Sequence, residues 1–355
     1  MRLFLQWTII IPLLAWILFF TNLAEASNVF KVVASVLLIL SVMSAVHHSE
    51  IVAHRVGEPY GTIILAVAIT VIEVSIIISL MLSGGPETIA LARDTVYSAT
   101  MLILNGIVGL CLFIGGMKHH TQRFSQHSVT IALVSLVSII VFTLVIPTFT
   151  KSVDGSYYSQ PQLIFASISC IVIYGFFLFA QTSRHREYFL TEQVGEAHQG
   201  VVISKKILIT SLVFLILSLA IVVLLAKTLS PTIETIIIRN NLPLALVGVV
   251  IAMIILLPEA IAAIIAARKN HLQTSLNLSL GSALASIGLT IPAVSLACII
   301  MDMKIVLGLD IKSIVLLALS VFTVMLSLSR GRTNIVYGVV LLVNLFAFIF
   351  LIIFP

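Results

Sequence analysis

Charge is what this sequence has least of. Only 9% of its 355 residues are Asp, Glu, Lys or Arg, while 60% are hydrophobic; a soluble domain carries about 25% charged residues. So few charges cannot cover a water-facing surface. A soluble fold is excluded and an all-α polytopic membrane protein remains, in keeping with a mean hydropathy of +1.21. Cysteine is also sparse. Cys111, Cys170 and Cys298 lie in apolar runs without a neighbouring Cys or His, so neither a disulfide framework nor a zinc site is encoded, and the thiols read as inert packing. No HExxH, no paired-Asp motif and no Ser–His arrangement occurs at depth, which leaves a membrane-embedded enzyme without its chemistry; no enzyme and no cofactor are expected. The net charge of +5 does not describe a nucleic-acid surface. The Lys and Arg residues sit in short loops between apolar runs, where they set topology and meet lipid headgroups. The expected partners are the lipid bilayer, inorganic cations and protons, with no nucleic acid and with a homo-oligomer left open.

Apolar runs of about 20 residues are what the sequence does have, each long enough to span a bilayer. They predict eleven helices, at roughly 4–22, 28–47, 60–82, 94–117, 128–149, 161–181, 205–227, 241–267, 271–300, 311–329 and 333–354. The first resembles a signal peptide ending in Ala24-Glu25-Ala26, but its run from Trp7 to Phe20 and beyond reaches or passes the upper end of the about 7–15 residues of an h-region. It reads as a retained spanning helix. Segment 182–204, TSRHREYFLTEQVGEAHQGVVIS, is too short for a domain and reads as a connector. The predicted organisation is an N-terminal helix (1–27), a five-helix repeat (28–181), a cytoplasmic linker (182–204) and a second five-helix repeat (205–355). Because five is odd, the halves cross the membrane in opposite senses, the arithmetic of an inverted repeat with its site near the midplane.

Orientation follows from basic residues counted by loop. The N-terminus and the loops after the even-numbered helices hold Arg2, Arg55, Lys118, Arg123, Arg184, Arg186, Lys205, Lys206, Arg268, Lys269, Arg330 and Arg332; the opposite side holds the other seven of the 19. A cytoplasmic N-terminus and, for a bacterial chain, the inner membrane are expected. All nine histidines fall on that cytoplasmic side, including His47, His48, His119 and His120. They fit ordinary juxtamembrane polar residues better than a pH sensor, although histidine titrates near neutrality.

Two acids lie deep in apolar helices: Glu73 in AITVIEVSI and Glu259 in ILLPEAIAA. Each occupies the second helix of its five-helix half, a match that chance placement would rarely produce. Buried carboxylates are costly and usually functional. At 3.6 residues per turn, Thr62, Ala66, Thr70 and Glu73 share a face, as do Gly248, Ala252, Glu259, Ala262, Ala263 and Ala266, so small residues allow close approach of a neighbour. The following helices carry polar stripes, Asp94, Ser98, Asn105 and Gly109 in one and Ser275, Ser279, Ser282, Ser286 and Thr290 in the other. Hydroxyls often bond back to their own helix, yet five in a row after a buried acid favour ligand duty. Pro258 and Pro292 each free a carbonyl one turn back, adding hard oxygens suited to Ca²⁺ or Na⁺. Desolvation and mutual repulsion of two carboxylates favour protonation. Such a pair holds either protons or a cation, and exclusive occupancy is the basis of antiport.

With these residues in view, the sequence resembles the ChaA-type Ca²⁺/H⁺ (Na⁺/H⁺, K⁺/H⁺) antiporters of the Ca²⁺:cation antiporter superfamily, and is CAX-like. The resemblance rests on Gly57-Glu-Pro-Tyr-Gly-Thr through Thr70-Val-Ile-Glu73, on Pro258-Glu-Ala to Ala267-Arg-Lys-Asn270, and on Ser275-Leu-Asn-Leu-Ser-Leu-Gly-Ser-Ala to Ile291-Pro-Ala. It implies two repeats, each with an exchange glutamate, here Glu73 and Glu259 as cation and proton ligands. It also implies neutral oxygens from Asn105, Ser282 and Ser286, and Thr70, on the face of Glu73, is expected to add another. The Gly-Asn expected four and three positions before each glutamate is replaced by Ile69-Thr70 and Ile255-Leu256, so fewer oxygens surround the ion and Na⁺ and K⁺ stand beside Ca²⁺. Glu58, beside Pro59, is an entry ligand or an interfacial acid at a helix start. The expected function is cation export, of Ca²⁺ or of Na⁺ or K⁺, in exchange for H⁺. The alternatives are a monovalent-only antiporter and a passive cation channel.

Overall fold

A computed structural model describes residues 2–22, 27–56, 60–83, 85–153, 155–184, 186–189, 204–239, 243 and 245–354. Glu58 and most of the expected connector (185 and 190–203) lie outside them. The apolar runs form long helices, because a backbone in hydrocarbon has to satisfy its own polar groups. They are α1 (Arg2–Phe20), α2 (Asn28–Val56), α3 (Tyr60–Ser83), α4 (Thr88–His119), α5 (Gln126–Phe149), α6 (Gln160–Arg184), α7 (Lys205–Arg239), α8 (Ala245–Arg268), α9 (Leu272–Ile300), α10 (Ile311–Leu328) and α11 (Ile335–Ile353). Among the described residues nine are long and apolar enough to cross a membrane, and α1 and α3 contribute shorter apolar stretches, Trp7–Phe20 and Ala66–Leu82. The protein is an integral multi-pass membrane protein.

Two helices outrun their expected ends. α2 continues past 47 to Val56, since HHSEIVAHR contains no breaker before Gly57 and Pro59. α7 continues past 227 to Arg239 with Pro231 inside it. Three helices also contain π-helical turns, at Leu102–Ile107 in α4, Val141–Val145 in α5 and Ala180–Arg184 in α6. The turn in α5 has a visible cause. Pro147 has no N–H to bond within the helix, and loop groups take up nearby carbonyls: Leu309 N–H donates to Leu144 O at 2.9 Å and Tyr158 O–H to Phe142 O at 2.6 Å.

The chain divides into two compact units, one of residues 1–88 and 199–241, the other of 89–198 and 242–355. The first holds α1, α2, α3 and α7. In it α2 packs on α1, α3 and α7, and Ser44 meets Ser218 while His48 stacks on Phe214, so α2 and α7 run antiparallel.

The second unit holds α4 to α6 and α8 to α11. Its loops gather at two ends. At one end Gln122 Nε2 donates to Asn270 Oδ1 (3.0 Å), Phe124 N–H donates to Gly331 O (3.1 Å), and the strands Gln122–Arg123 (β1) and Arg332–Thr333 (β2) pair antiparallel. Gly331, at φ +63°, makes the turn a side chain would resist. At the other end Val306 N–H donates to Ile89 O and Thr148 Oγ1 to Leu309 O. Within this unit α4 and α9, α5 and α10, and α6 and α11 therefore run in opposite senses, as an inverted repeat requires. Four of the five expected helix pairs, α2 with α7 included, each fall inside one unit. The fifth, α3 with α8, carries the two deep glutamates and is shared out, one helix to each unit.

Candidate functional site

Glu73 lies on the inward stripe of α3. Ala66, Thr70, Glu73, Ile77 and Leu80 are all buried, while Val67 and Val71 are exposed, so the stripe follows the 3–4 spacing of one helix face. Only 2% of Glu73 is exposed. One turn before it, Thr70 Oγ1 donates to Ala66 O at 2.8 Å; its proton is committed to its own helix and its lone pairs stay available as acceptors. The side chain of Thr62 lies outside the described residues.

Glu259 is half-buried and sits beside the corresponding stripe of α8. Gly248, Ala252, Ile255, Leu256, Ala263 and Ala267 are buried, and Met253, Ile261 and Ile265 are exposed. Of the alanines expected on this face, Ala263 is buried and Ala262 and Ala266 are half-buried, with Ala267 completing the inward row. The small residues matter for a measurable reason. A Cβ on Gly248 would lie 2.8 Å from the carbonyl carbon of Asp94 and 2.9 Å from Thr95 N, so α8 touches the backbone of α4 and only glycine fits. The helix continues through Pro258 and ends in a clamp. Asn270 takes the left-handed conformation (φ +65°) that closes a helix end; Gln122 Nε2 donates to Ala267 O (3.0 Å), and Lys118 Nζ donates to Arg268 O (3.1 Å). The Ala-Arg-Lys-Asn elbow is thus an end cap for the glutamate helix.

The polar stripe of α9 is buried along most of its length: Ser275, Ser279, Ser286 and Thr290 are inside, and Ser282 is half-buried. Ser279 Oγ donates to Ser275 O at 2.8 Å, so that hydroxyl does serve its own helix. The expected stripe of α4 separates into two environments. Asp94 is paired with Arg93 (2.8 Å), whose Nη1 also donates to Gly308 O. Asn105, fully buried in the π-helical turn, donates its amide to Ser320 Oγ on α10 at 2.8 Å, while its Oδ1 has no hydrogen-bond partner. Single π-helical turns inside α-helices are frequent at functional sites. Glu259, Asn105, Ser282 and Ser286 belong to one unit, Glu73 and Thr70 to the other.

Cys111, Cys170 and Cys298 are buried and unbonded. Among the described residues no group of three or more His, Cys, Asp or Glu gathers. His47 and His48, expected at a membrane boundary, instead lie inside α2, with 1% of His48 exposed. The polar surroundings of these two histidines were not legible from spacing alone.

An apolar multi-helix bundle with antiparallel helix pairs and an acid on each of two small-residue stripes is the build of a secondary transporter. The sodium/calcium exchanger protein family model matches residues 26–183 and 210–354, and the chain belongs to that family, within the Ca²⁺:cation antiporter superfamily. Two curated relatives match it nearly end to end. The "Putative ionic transporter y4hA" of Sinorhizobium fredii is 40% identical over 338 residues, covering 94% of this chain and 92% of that protein. The sodium-potassium/proton antiporter ChaA of Escherichia coli is 32% identical over 342 residues, covering 93% and 92%. Among solved structures, native YfkE superposes with a TM-score of 0.74 at 20% identity, covering 98% of this chain and all of that one. The H⁺/Ca²⁺ exchanger CAX superposes with a TM-score of 0.71 at 13% identity, covering 96% and 87%. These structures establish the fold. The family is one of transporters.

Proposed function

We propose that the chain is a secondary active cation/proton antiporter that exports Ca²⁺, Na⁺ or K⁺ in exchange for inward protons, with Glu73 and Glu259 as the shared ion and proton ligands. The observation that carries this reading is the matched pair of acids. One is buried on the inward stripe of α3 and the other is half-buried beside the small-residue stripe of α8, the second helix of each half. A carboxylate away from water is stabilised either by a proton or by a cation, so occupancy by one excludes the other. Two protons against one divalent cation leave the pair's charge unchanged, and alternating access then moves a neutralised site. Thr70, Asn105, Ser282 and Ser286 supply neutral oxygens, those of Asn105 through the Oδ1 that its bond to Ser320 leaves open. In this reading the basic loops face the cytoplasm and the membrane is the bacterial inner membrane.

A monovalent preference is favoured by one observation. Ile69-Thr70 and Ile255-Leu256 stand where the superfamily places Gly-Asn, and a site with fewer oxygens suits a less demanding cation than Ca²⁺. The name of ChaA, a sodium-potassium/proton antiporter, points the same way. The test is dye-reported proton release from inverted vesicles on addition of Na⁺, K⁺ or Ca²⁺. Glu73→Gln and Glu259→Gln should each reduce it to the background of empty vesicles, and retention of cation-driven release by both would end this assignment. A channel is separated by whether an imposed pH gradient accumulates the cation against its own gradient.

A further inference from the structure

The first unit contains a line of buried polar atoms that the glutamate site does not use. On α2, Ser41, Ser44 and His48 are spaced three and four apart and so share one face; each is at most 1% exposed. Ser44 Oγ donates to Thr8 O of α1 at 2.6 Å and lies 3.3 Å from Ser218 Oγ of α7. His48 Nε2 is 3.4 Å from the same Thr8 carbonyl. A carbonyl only accepts, so this bond requires the Nε2–H tautomer, which makes Nδ1 the bare acceptor. That Nδ1 is buried and has no hydrogen-bond partner, and the same holds for His47 Nε2 and Ser41 Oγ. The two imidazoles adjoin, with ring centres 5.7 Å apart, and His48 stacks on Phe214.

Three buried polar atoms without partners within eight residues of one helix need an explanation, because each forgoes the bond that water would give it. In a membrane span such residues mark ion or proton paths. Their depth adds a second point. α2 and α3 pack together and are three residues apart in the chain. At 1.5 Å rise per residue, Ser41 is about 22 Å from the Val56 end of α2, His48 about 12 Å, and Glu73 about 20 Å from the Tyr60 end of α3. The line therefore starts at His48 and ends at about the depth of Glu73.

We propose that His48, with His47, Ser44 and Ser41, is a proton relay of the first unit: Nδ1 of His48 takes a proton and passes it, through the hydroxyls and water between them, toward the depth of Glu73. This rests on the antiport reading given above. No bond other than O–H and N–H forms or breaks, and the imidazole returns to its neutral tautomer when the proton leaves. Few other ionisable groups share its surroundings. The described side chains of α1 include none, α3 offers Glu73, and α7 offers Lys205, Lys206, Lys227 and Arg239, the nearest of them more than two turns from Phe214 or Ser218. α2 itself adds the half-buried Lys31, more than four turns from His48, and Glu50 and Arg55, both exposed. A single protonated imidazole is thus balanced by no fixed counter-ion of α1, which suits transient rather than permanent charge.

The experiment uses the full-length protein in vesicles, comparing wild type with His48→Gln, His47→Gln and Ser41→Ala in two modes. One mode is cation-driven proton release across pH. The other is self-exchange of radiolabelled Na⁺ or Ca²⁺ at equal pH, which moves no proton. His48→Gln should lower proton-coupled transport about tenfold at neutral pH, equivalent to one unit of pH in proton occupancy, and leave self-exchange unchanged. Ser41→Ala should give a smaller loss in the same mode only. Superimposable pH profiles for His48→Gln and wild type overturn the proposal, and so does a parallel fall in both modes, which marks a packing role. A ¹⁵N spectrum of the histidine rings supplies the independent reading. A ring that titrates between about pH 5 and 8 and vanishes in His48→Gln supports the relay, and its absence in wild type overturns it. Should wild type exchange cations without moving protons, the antiport reading fails by itself, and the ring titration still decides whether His48 binds a proton.

Discussion

The two units differ in where their polar groups lie. In the second unit the hydrogen bonds that tie one helix to another concentrate at the ends. Gln122 and Lys118 cap α8, Gln273 Nε2 donates to Ser128 Oγ, Gln273 Oε1 accepts from Ser125 N–H, and loop carbonyls at the far end take Arg93 and Thr148. Between those ends glycines bring backbones together, Gly248 on α4 and Gly338 on α4 at Phe113. In the first unit the interhelical polar bonds sit along the middle of α2; buried polar atoms without a hydrogen bond occur in both units, on Ser41, His47 and His48 in the first and on Thr95, Asn105, Gln122, Ser275 and Ser295 in the second. Bonds at helix ends fix position. The comparison separates bonds at helix ends, which frame the second unit, from the mid-helix bonds of α2 in the first.

The sharpest way to break this comparison is through the glutamates, one in each unit. Glu73→Gln and Glu259→Gln should abolish cation-driven proton release alike, while melting in detergent shifts little, because a neutral isostere keeps the shape. Unequal transport losses would mean that the two units do not share the exchange chemistry. Next in size is Gly338→Leu. The first carbon of that side chain would overlap Phe113 N, backbone that cannot yield, and overpacking of this kind costs about 3 kcal/mol. Loss of monodisperse folded protein in size-exclusion chromatography is the expected outcome, and a normal profile would show that α11 and α4 can part.

A smaller effect follows from Gln273→Ala, which removes its bonds to Ser128, Asn277 and Ser125 N–H. Bonds in this range contribute about 0.5–1.5 kcal/mol each, so a clear drop in melting temperature is expected with transport retained. The smallest belongs to Ser44→Ala in the first unit. Polar contacts between membrane helices average about 0.6 kcal/mol, so melting should barely change while proton-coupled transport falls. If Ser44→Ala melts as early as Gln273→Ala, the middle of α2 is frame as well and the contrast between the units disappears.

Much of the fold was legible because the bilayer imposes one solution. Apolar runs of about 20 residues have to be helices; Glu73 is buried on the face its small neighbours marked, while Glu259 is half-buried. The misses have physical causes. α2 runs nine residues beyond its expected end because two histidines look like a boundary, although nothing in HHSEIVAHR breaks a helix. Asn105 shared a wheel position with Asp94 and Ser98, but the π-helical turn at Leu102–Ile107 adds a residue to the local turn and shifts the register, and its amide goes to Ser320. Wheel geometry assumes 3.6 residues per turn throughout and cannot foresee that.

The sequence by itself determined class, span positions, the pairing of the two acids and the family resemblance, since each depends on composition or local periodicity. The tertiary structure decided what depends on which helices meet. It placed four helix pairs of the inverted scheme within single units and assigned the glutamate helices one to each. It also made the Ala-Arg-Lys-Asn elbow a cap through Gln122 and Lys118, almost 150 residues away in the chain. And it turned two apparently interfacial histidines inward against Thr8 and Phe214. Contacts between residues so far apart leave no periodic trace, because side-chain spacing along a helix records which face is buried but not what buries it.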